Sequence, residues 1–301
     1  MLDIIKASFK DFANDDAPRL AAALSYYTVF SLPPLLILIT LLAGAIWDPQ
    51  EVQGRLVQQF GGAIGPEGAE QIRSILRAAD RPGTGGTWTT VLSIAALLFG
   101  ATGAFGQLQA ALNVAWEVEP DPERGGGLAR LVAKRLLSFG MILVIAFLLL
   151  VSLVLSTVLN AAGGTLAGWL PGSVGEPLLW VLDLGLSLAV ITALFMAMYK
   201  VLPDATVAWS DVWRGGLVTA ALFVLGKFLL GFYIARSDPG SAFGAAGSLA
   251  VVLVWIYYSA MIFFLGAEFT QVYADRRGHG IRPDEGAVRT RAPAQRGAER
   301  G

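Results

Sequence analysis

Six separate runs of about 20 apolar residues constrain this chain more than any other feature, because a helix of that length spans the ~30 Å hydrocarbon core of a bilayer. They lie at about 25–46, 88–108, 136–158, 178–198, 215–234 and 249–272. Each is rich in Leu, Val, Ala, Phe and Gly, and none alternates with the period of two that a membrane β-barrel requires. Composition points the same way. Only 15% of the 301 residues are charged and 55% are hydrophobic, against roughly 25% charged in a soluble domain. So few charges cannot coat a water-soluble particle of this size. The expected fold class is all-α: a polytopic six-transmembrane helix bundle over residues 1–275, then a disordered basic cytoplasmic tail at 276–301.

Basic residues outside the runs orient the bundle. One side collects Lys6, Lys10, Arg19, Arg124, Arg130, Lys134, Arg135, Lys200, Arg214 and the tail residues Arg276, Arg277, Arg282, Arg289, Arg291, Arg296 and Arg300. The other side holds Arg55, Arg73, Arg77 and Arg81 in a long first loop, with Arg236 in the fifth. Both termini are therefore expected in the cytoplasm, in a bacterial inner (plasma) membrane. The amino terminus has no apolar core or small-residue cleavage site, so no cleaved signal peptide is expected.

Two segments outside the spans carry helical patterning. Ile5, Phe9, Phe12 and Asp16 follow one face of the amino-terminal segment, which suits a helix lying in the membrane interface. In the first external loop, Val52, Leu56 and Phe60, then Ile72, Ile75, Leu76 and Ala79, mark two short amphipathic helices. GGAIGPEG (61–68) separates them and RPGTGG (81–86) leads into the second span.

Charges inside a span cost about 2.5–3.5 kcal/mol each at mid-helix, so they are the first candidates for function. Lys227 lies ~20 Å from the cytoplasmic edge and Asp183 ~22 Å, so an ion pair between them is geometrically allowed. Glu268 lies near the cytoplasmic end of the sixth span, with Lys200, Arg214 or Arg135 as expected partners. Such pairs either fix helix register or line a polar path. Pro33 and Pro34 remove two amide donors and should kink or break the first span. Ser25, Tyr26, Tyr27, Thr28 and Ser31 precede them and can offer hydroxyls to the freed carbonyls or to a ligand. Gly100, Gly103 and Gly106 form a smooth ridge on the second span, suited to close helix packing.

The blocks DDAPRLAAALSYYTVFSLPPLL (15–36), GATGAFGQLQAALNVAWEV (100–118), YKVLPDATVAWSDVWRGG (199–216) and FGAAGSLAVVLVWIYYSAMIFFLGAEFTQVYA (243–274) resemble the YihY/BrkB family of bacterial inner-membrane proteins, once labelled ribonuclease BN-like. The resemblance covers about residues 1–275 and implies six spans with both ends cytoplasmic. Envelope integrity and transport have been suggested for members. Positions that match its motifs include Ser25, Tyr26, Tyr27, Pro33, Asn113, Trp116, Pro203, Trp255, Gly266, Ala267 and Glu268.

A ribonuclease needs a phosphate track and either a metal–carboxylate cluster or an acid–base pair. With no cysteine and a single histidine, His279, in the tail, the chain is read as no enzyme: no catalytic residue, cofactor or metal site is expected. Nucleic acid is not an expected partner; membrane lipid is, together with a homo-oligomer or an envelope protein. The functional expectation is a transporter or flippase for an envelope-related substrate such as a lipid. A non-transporting envelope scaffold is the alternative. The path residues would be Asp183, Lys227, Glu268, Ser25, Tyr26, Tyr27, Pro33, Pro34 and Asn113. A lipid-facing Lys227 would remove that residue from the path.

Overall fold

The computed structural model describes residues 2–44, 48–79, 87–121, 172–237, 246–277 and 280–290. Within them, helices dominate: α1 (Leu2–Asn14), α2 (Ala17–Gly44), α3 (Pro49–Ala79), α4 (Thr87–Ala115), α5 (Gly172–Val201), α6 (Trp209–Ser237) and α7 (Gly247–Arg276). Four short strands complete the described chain: β1 (Val118–Pro120), β2 (Ala205–Thr206), β3 (Arg282–Pro283) and β4 (Ala287–Arg289). Among the described residues, four segments are long and apolar enough to cross a bilayer: Ala17–Ile37, Leu184–Val201, Trp209–Tyr233 and Gly247–Arg276. They overlap the first, fourth, fifth and sixth expected spans. The second expected span lies within α4, and the third, at 136–158, lies outside the described residues.

The helical state follows from the solvent: in hydrocarbon no water replaces a lost backbone hydrogen bond, so the chain must satisfy its own amides. Pro33 and Pro34 were expected to kink or break the first span. The prolines do not break α2, which is helical from Ala17 to Gly44. Nor do the nearby hydroxyls serve the carbonyls the prolines leave free, those of Val29 and Phe30. Ser25, Thr28 and Ser31 donate instead to the carbonyls of Ala21 (2.7 Å), Leu24 (2.8 Å) and Thr28 (2.8 Å).

The chain divides into two compact units. One comprises Asp16–Leu108 and Leu225–Ile262. Here α3 is two antiparallel arms joined at Gly65, whose φ of 85° is open to glycine without steric cost. Pro66 follows, suited to the first turn of the second arm because a proline there gives up no helical hydrogen bond. Both arms pack on α2: Leu36 is fully buried against Ile72 and Leu76, with Leu56, Val57 and Ile75 around them. Ser248, near the start of α7, donates to Gln71 on the second arm at 2.7 Å. Leu230 and Val251 form a second core with Trp255 and Tyr258. Gly103 lies beneath the Tyr27 ring, where an added Cβ would sit 2.5 Å from Cδ1, whereas Gly106 faces open space.

The other unit comprises Met1–Asp15, Gln109–Val224 and Phe263–Gly301. In it α1 buries Ser8 and leaves Leu2, Ile5 and Phe9 exposed. The helix stops at Asn14, and Asp16 takes a left-handed backbone (φ 53°), so Asp16 does not continue the apolar face on which the sequence placed it. The tail also departs from expectation. Residues 280–290 are not disordered: β4 pairs antiparallel with β1 and β3 with β2. Gly280, at φ 61°, turns the chain after α7, and its N–H reaches the Ala274 carbonyl at 3.3 Å. A polar tail finds its hydrogen bonds in loops far away in sequence, a pairing that local composition does not report.

The glycine ridge gives a direct test. Gly103→Ala should lower stability in detergent by about 1–3 kcal/mol through overpacking against Tyr27. Gly106→Ala, meeting nothing, should leave the melting temperature unchanged or raise it. Equal shifts for the two would refute the packing assigned to Gly103.

Candidate functional site

Helices α6 and α7 meet through the same short pattern used twice. Gly215 precedes Thr219 by one turn on α6, and Gly266 precedes Thr270 by one turn on α7. Each threonine donates its hydroxyl hydrogen to its own glycine's carbonyl, Thr219 to Gly215 and Thr270 to Gly266, both at 2.7 Å. With its polar hydrogen satisfied inside the helix, each threonine fits the notch left by the other helix's glycine. A Cβ on Gly215 would overlap Thr270, and one on Gly266 would overlap Thr219. Small residues at a crossing let backbones approach this closely.

α5 adds Tyr199 to this crossing. Its hydroxyl donates to the Phe263 carbonyl at 2.6 Å and lies 3.0 Å from Thr219 Oγ1. Its ring packs at 4.9 Å from Phe263, edge-on to Trp116 at 6.0 Å, and stacked on Phe195 at 6.3 Å. Glu268, one residue beyond the Gly266–Ala267 pair, is only 1% exposed and lies within electrostatic reach of the Tyr199 phenol. A phenol and two threonine hydroxyls thus share one buried polar centre, and the buried Glu268 carboxyl lies within electrostatic reach of the phenol. Two of the cations expected to pair with Glu268 are engaged elsewhere. Lys200 donates to the Val207 carbonyl and sits over the Trp209 ring, while Arg214 lies 5.3 Å from the centre of the Tyr273 ring. Arg135, the third, lies outside the described residues.

A second polar joint ties α4 to the turn after α5. Asn113 accepts the Asp204 N–H through Oδ1 and donates from Nδ2 to the Asp204 carboxylate, both at 2.9 Å. Gln109 donates to the other carboxylate oxygen at 3.2 Å. The Asp204 carbonyl then receives the N–H of Asp284, which brings the tail ribbon onto the same turn. Asn113 is a buried clamp here.

The remaining candidates are spread over the fold. Asp183 is on α5, and its side chain lies outside the described residues. Lys227 is exposed on α6, beside exposed Leu225, Phe228 and Leu229, rather than interior. The helical period explains this: Gly226 packs on Tyr258 and Leu230 on Val251, so the residues between them point the other way. Lys227 is about 9 Å along the helix from Tyr233, the end of the apolar segment. A lysine stem can cover much of that distance by snorkelling. Ser25 is buried with its hydroxyl bonded to its own helix, Tyr26 is exposed, and Tyr27 covers Gly103. Tyr199, Thr219, Thr270 and Asp204 were not singled out by sequence reasoning. The twice-used Gly-x-x-x-Thr spacing was the available signal for the two threonines.

The Asn113–Asp204 clamp makes a two-way prediction. Asn113→Asp removes a donor and opposes two carboxylates, and should cost about 1–3 kcal/mol of stability. Adding Asp204→Asn reverses the polarity of the pair and should recover part of that loss, read from melting temperatures in detergent. No recovery would mean the pair does not act as a unit.

A family profile described as Virulence factor BrkB matches residues 8–291. A UPF0761 membrane protein of Azotobacter vinelandii is 30% identical over 284 residues, covering 92% of this chain and 64% of that protein. One from Methylibium petroleiphilum is 28% identical over 303 residues, covering 98% and 68%. One from Pseudomonas aeruginosa is 30% identical over 262 residues, covering 85% and 59%. The chain thus spans about two thirds or less of several of these relatives. No solved structure matches it. Matched over nearly its whole length, this chain is an integral membrane protein of the BrkB (UPF0761) family.

Proposed function

We propose that the chain is a membrane transport protein whose working centre is the polar cluster around Glu268, Tyr199, Thr219 and Thr270. Glu268 carries this reading: a carboxyl group 1% exposed within an apolar segment. An ionisable group is expensive there and is retained where a polar substrate or proton must pass. The substrate class we assign is a polar or lipid component of the envelope. Asp183 joins the path as a further candidate, whereas the exposed Lys227 does not.

The accompanying topology is a six-span bundle in a bacterial inner membrane with both termini cytoplasmic. Two observations support it. Arg276, at the end of α7, donates to the Asp3 carbonyl at the start of α1 at 3.0 Å, so the amino-terminal helix and the end of α7 meet at one end of this unit. The exposed Leu2, Ile5 and Phe9 of α1 suit a helix lying in the headgroup region, with lipid as its partner.

The reciprocal Gly–Thr crossing favours a second reading, a scaffold in which the same residues only hold helices in register. Reconstitution separates the two. Purified protein in liposomes containing a fluorescent phospholipid analogue should accelerate its exchange between leaflets, and Glu268→Gln should cut that rate by about tenfold or more. Wild-type liposomes no faster than empty ones would refute lipid translocation. A fully active Glu268→Gln variant would remove Glu268 from the path.

A further inference from the structure

The hairpin formed by α3 encloses a cleft of about 470 Å³ between its arms, lined by Gln50, Gln53, Gly54 and Gln58 on the first and Arg73 and Arg77 on the second. Antiparallel amphipathic helices ordinarily close such a seam with apolar side chains. Here amides and guanidiniums share the lining with Val57 and Leu76, and Gly54 leaves part of the wall bare: a Cβ added there would meet nothing within 4 Å. The volume falls in the range of small-ligand sites.

Charge gives the cleft its sign. Arg73 pairs with Glu70, and Arg77 lies 3.8 Å from the same carboxylate. Two guanidiniums on one carboxylate leave the lining net positive. Arg55 is neutralised separately by Glu51 at 2.6 Å. Both lining arginines are substantially exposed, with side chains 43% and 70% accessible, so their forks can turn toward a ligand. Guanidinium forks match the oxygens of a phosphate in pairs, and glutamine amides suit neighbouring hydroxyls.

Val57 and Leu76 line the cleft and also belong to the core around Leu36, so it is held against α2. We propose that it binds a phosphate group with adjoining hydroxyls, the chemistry of an anionic phospholipid headgroup and of a free phosphate ester. This proposal does not depend on Glu268 or on transport.

The test uses the full-length chain in nanodiscs of pure phosphatidylcholine, titrated calorimetrically with glycerol phosphate, and native mass spectrometry from bilayers containing phosphatidylglycerol. Lipid retention without glycerol phosphate binding assigns the site to headgroups, and glycerol phosphate binding assigns it to the phosphate ester itself. In either case Arg73→Gln with Arg77→Gln should weaken binding by about tenfold or more, because each lost charge-assisted hydrogen bond is worth about that factor. Gly54→Leu keeps both arginines but fills the cleft, and should weaken binding equally. Wild-type binding in either variant, at an unchanged melting temperature, would overturn the proposal, as would the absence of both kinds of binding in the wild type.

Discussion

The reciprocal fit of Gly215 with Thr270 and Gly266 with Thr219 is the constraint around which the polar centre is built. Between helices in a bilayer there is no hydrophobic drive to associate, so packing and hydrogen bonding must do the work. A threonine with a free hydroxyl would be a poor element for such a contact. Here each hydroxyl is bonded back to its own helix, leaving a compact methyl-bearing wedge for the facing notch. The close approach of α6 and α7 in turn places the Phe263 carbonyl and the Thr219 hydroxyl within reach of Tyr199 on α5. One crossing thereby brings three helices to a single polar point.

Glu268 gains its interest from this setting. A carboxyl group with access to water would need no explanation near a membrane surface. Glu268 is instead buried within the apolar segment of α7, within electrostatic reach of the Tyr199 phenol. The Asn113–Asp204 clamp works differently. It pairs donors with acceptors between a helix end and a turn, and the Asp204 carbonyl also receives the Asp284 N–H.

Much of this was legible in the sequence, and the gaps have physical causes. The broken α3 hairpin was readable because Gly65 and Pro66 interrupt two amphipathic patterns, and amphipathicity identifies a buried face in water. Inside lipid that signal vanishes, since both faces of a span are apolar. The sequence could therefore give Lys227 a depth but not a direction, and the structure turns it outward. At Pro33 and Pro34, α2 continues through both rather than ending, as membrane helices tolerate. The tail ribbon escaped notice because its strands are two and three residues long and pair with segments far away in sequence.

Sequence by itself determined that this is a helical membrane protein and where its four described apolar segments lie. Those properties depend on local composition and run length, which the solvent reads directly. Only the tertiary structure decided that the two Gly-x-x-x-Thr steps face each other, that Tyr199 completes their polar centre, and that the α3 arms leave a basic cleft. Those properties depend on which faces of near-uniformly apolar helices meet, and on how two arms separated by a glycine turn come to lie side by side. Contact between distant residues sets both, and no local pattern records it.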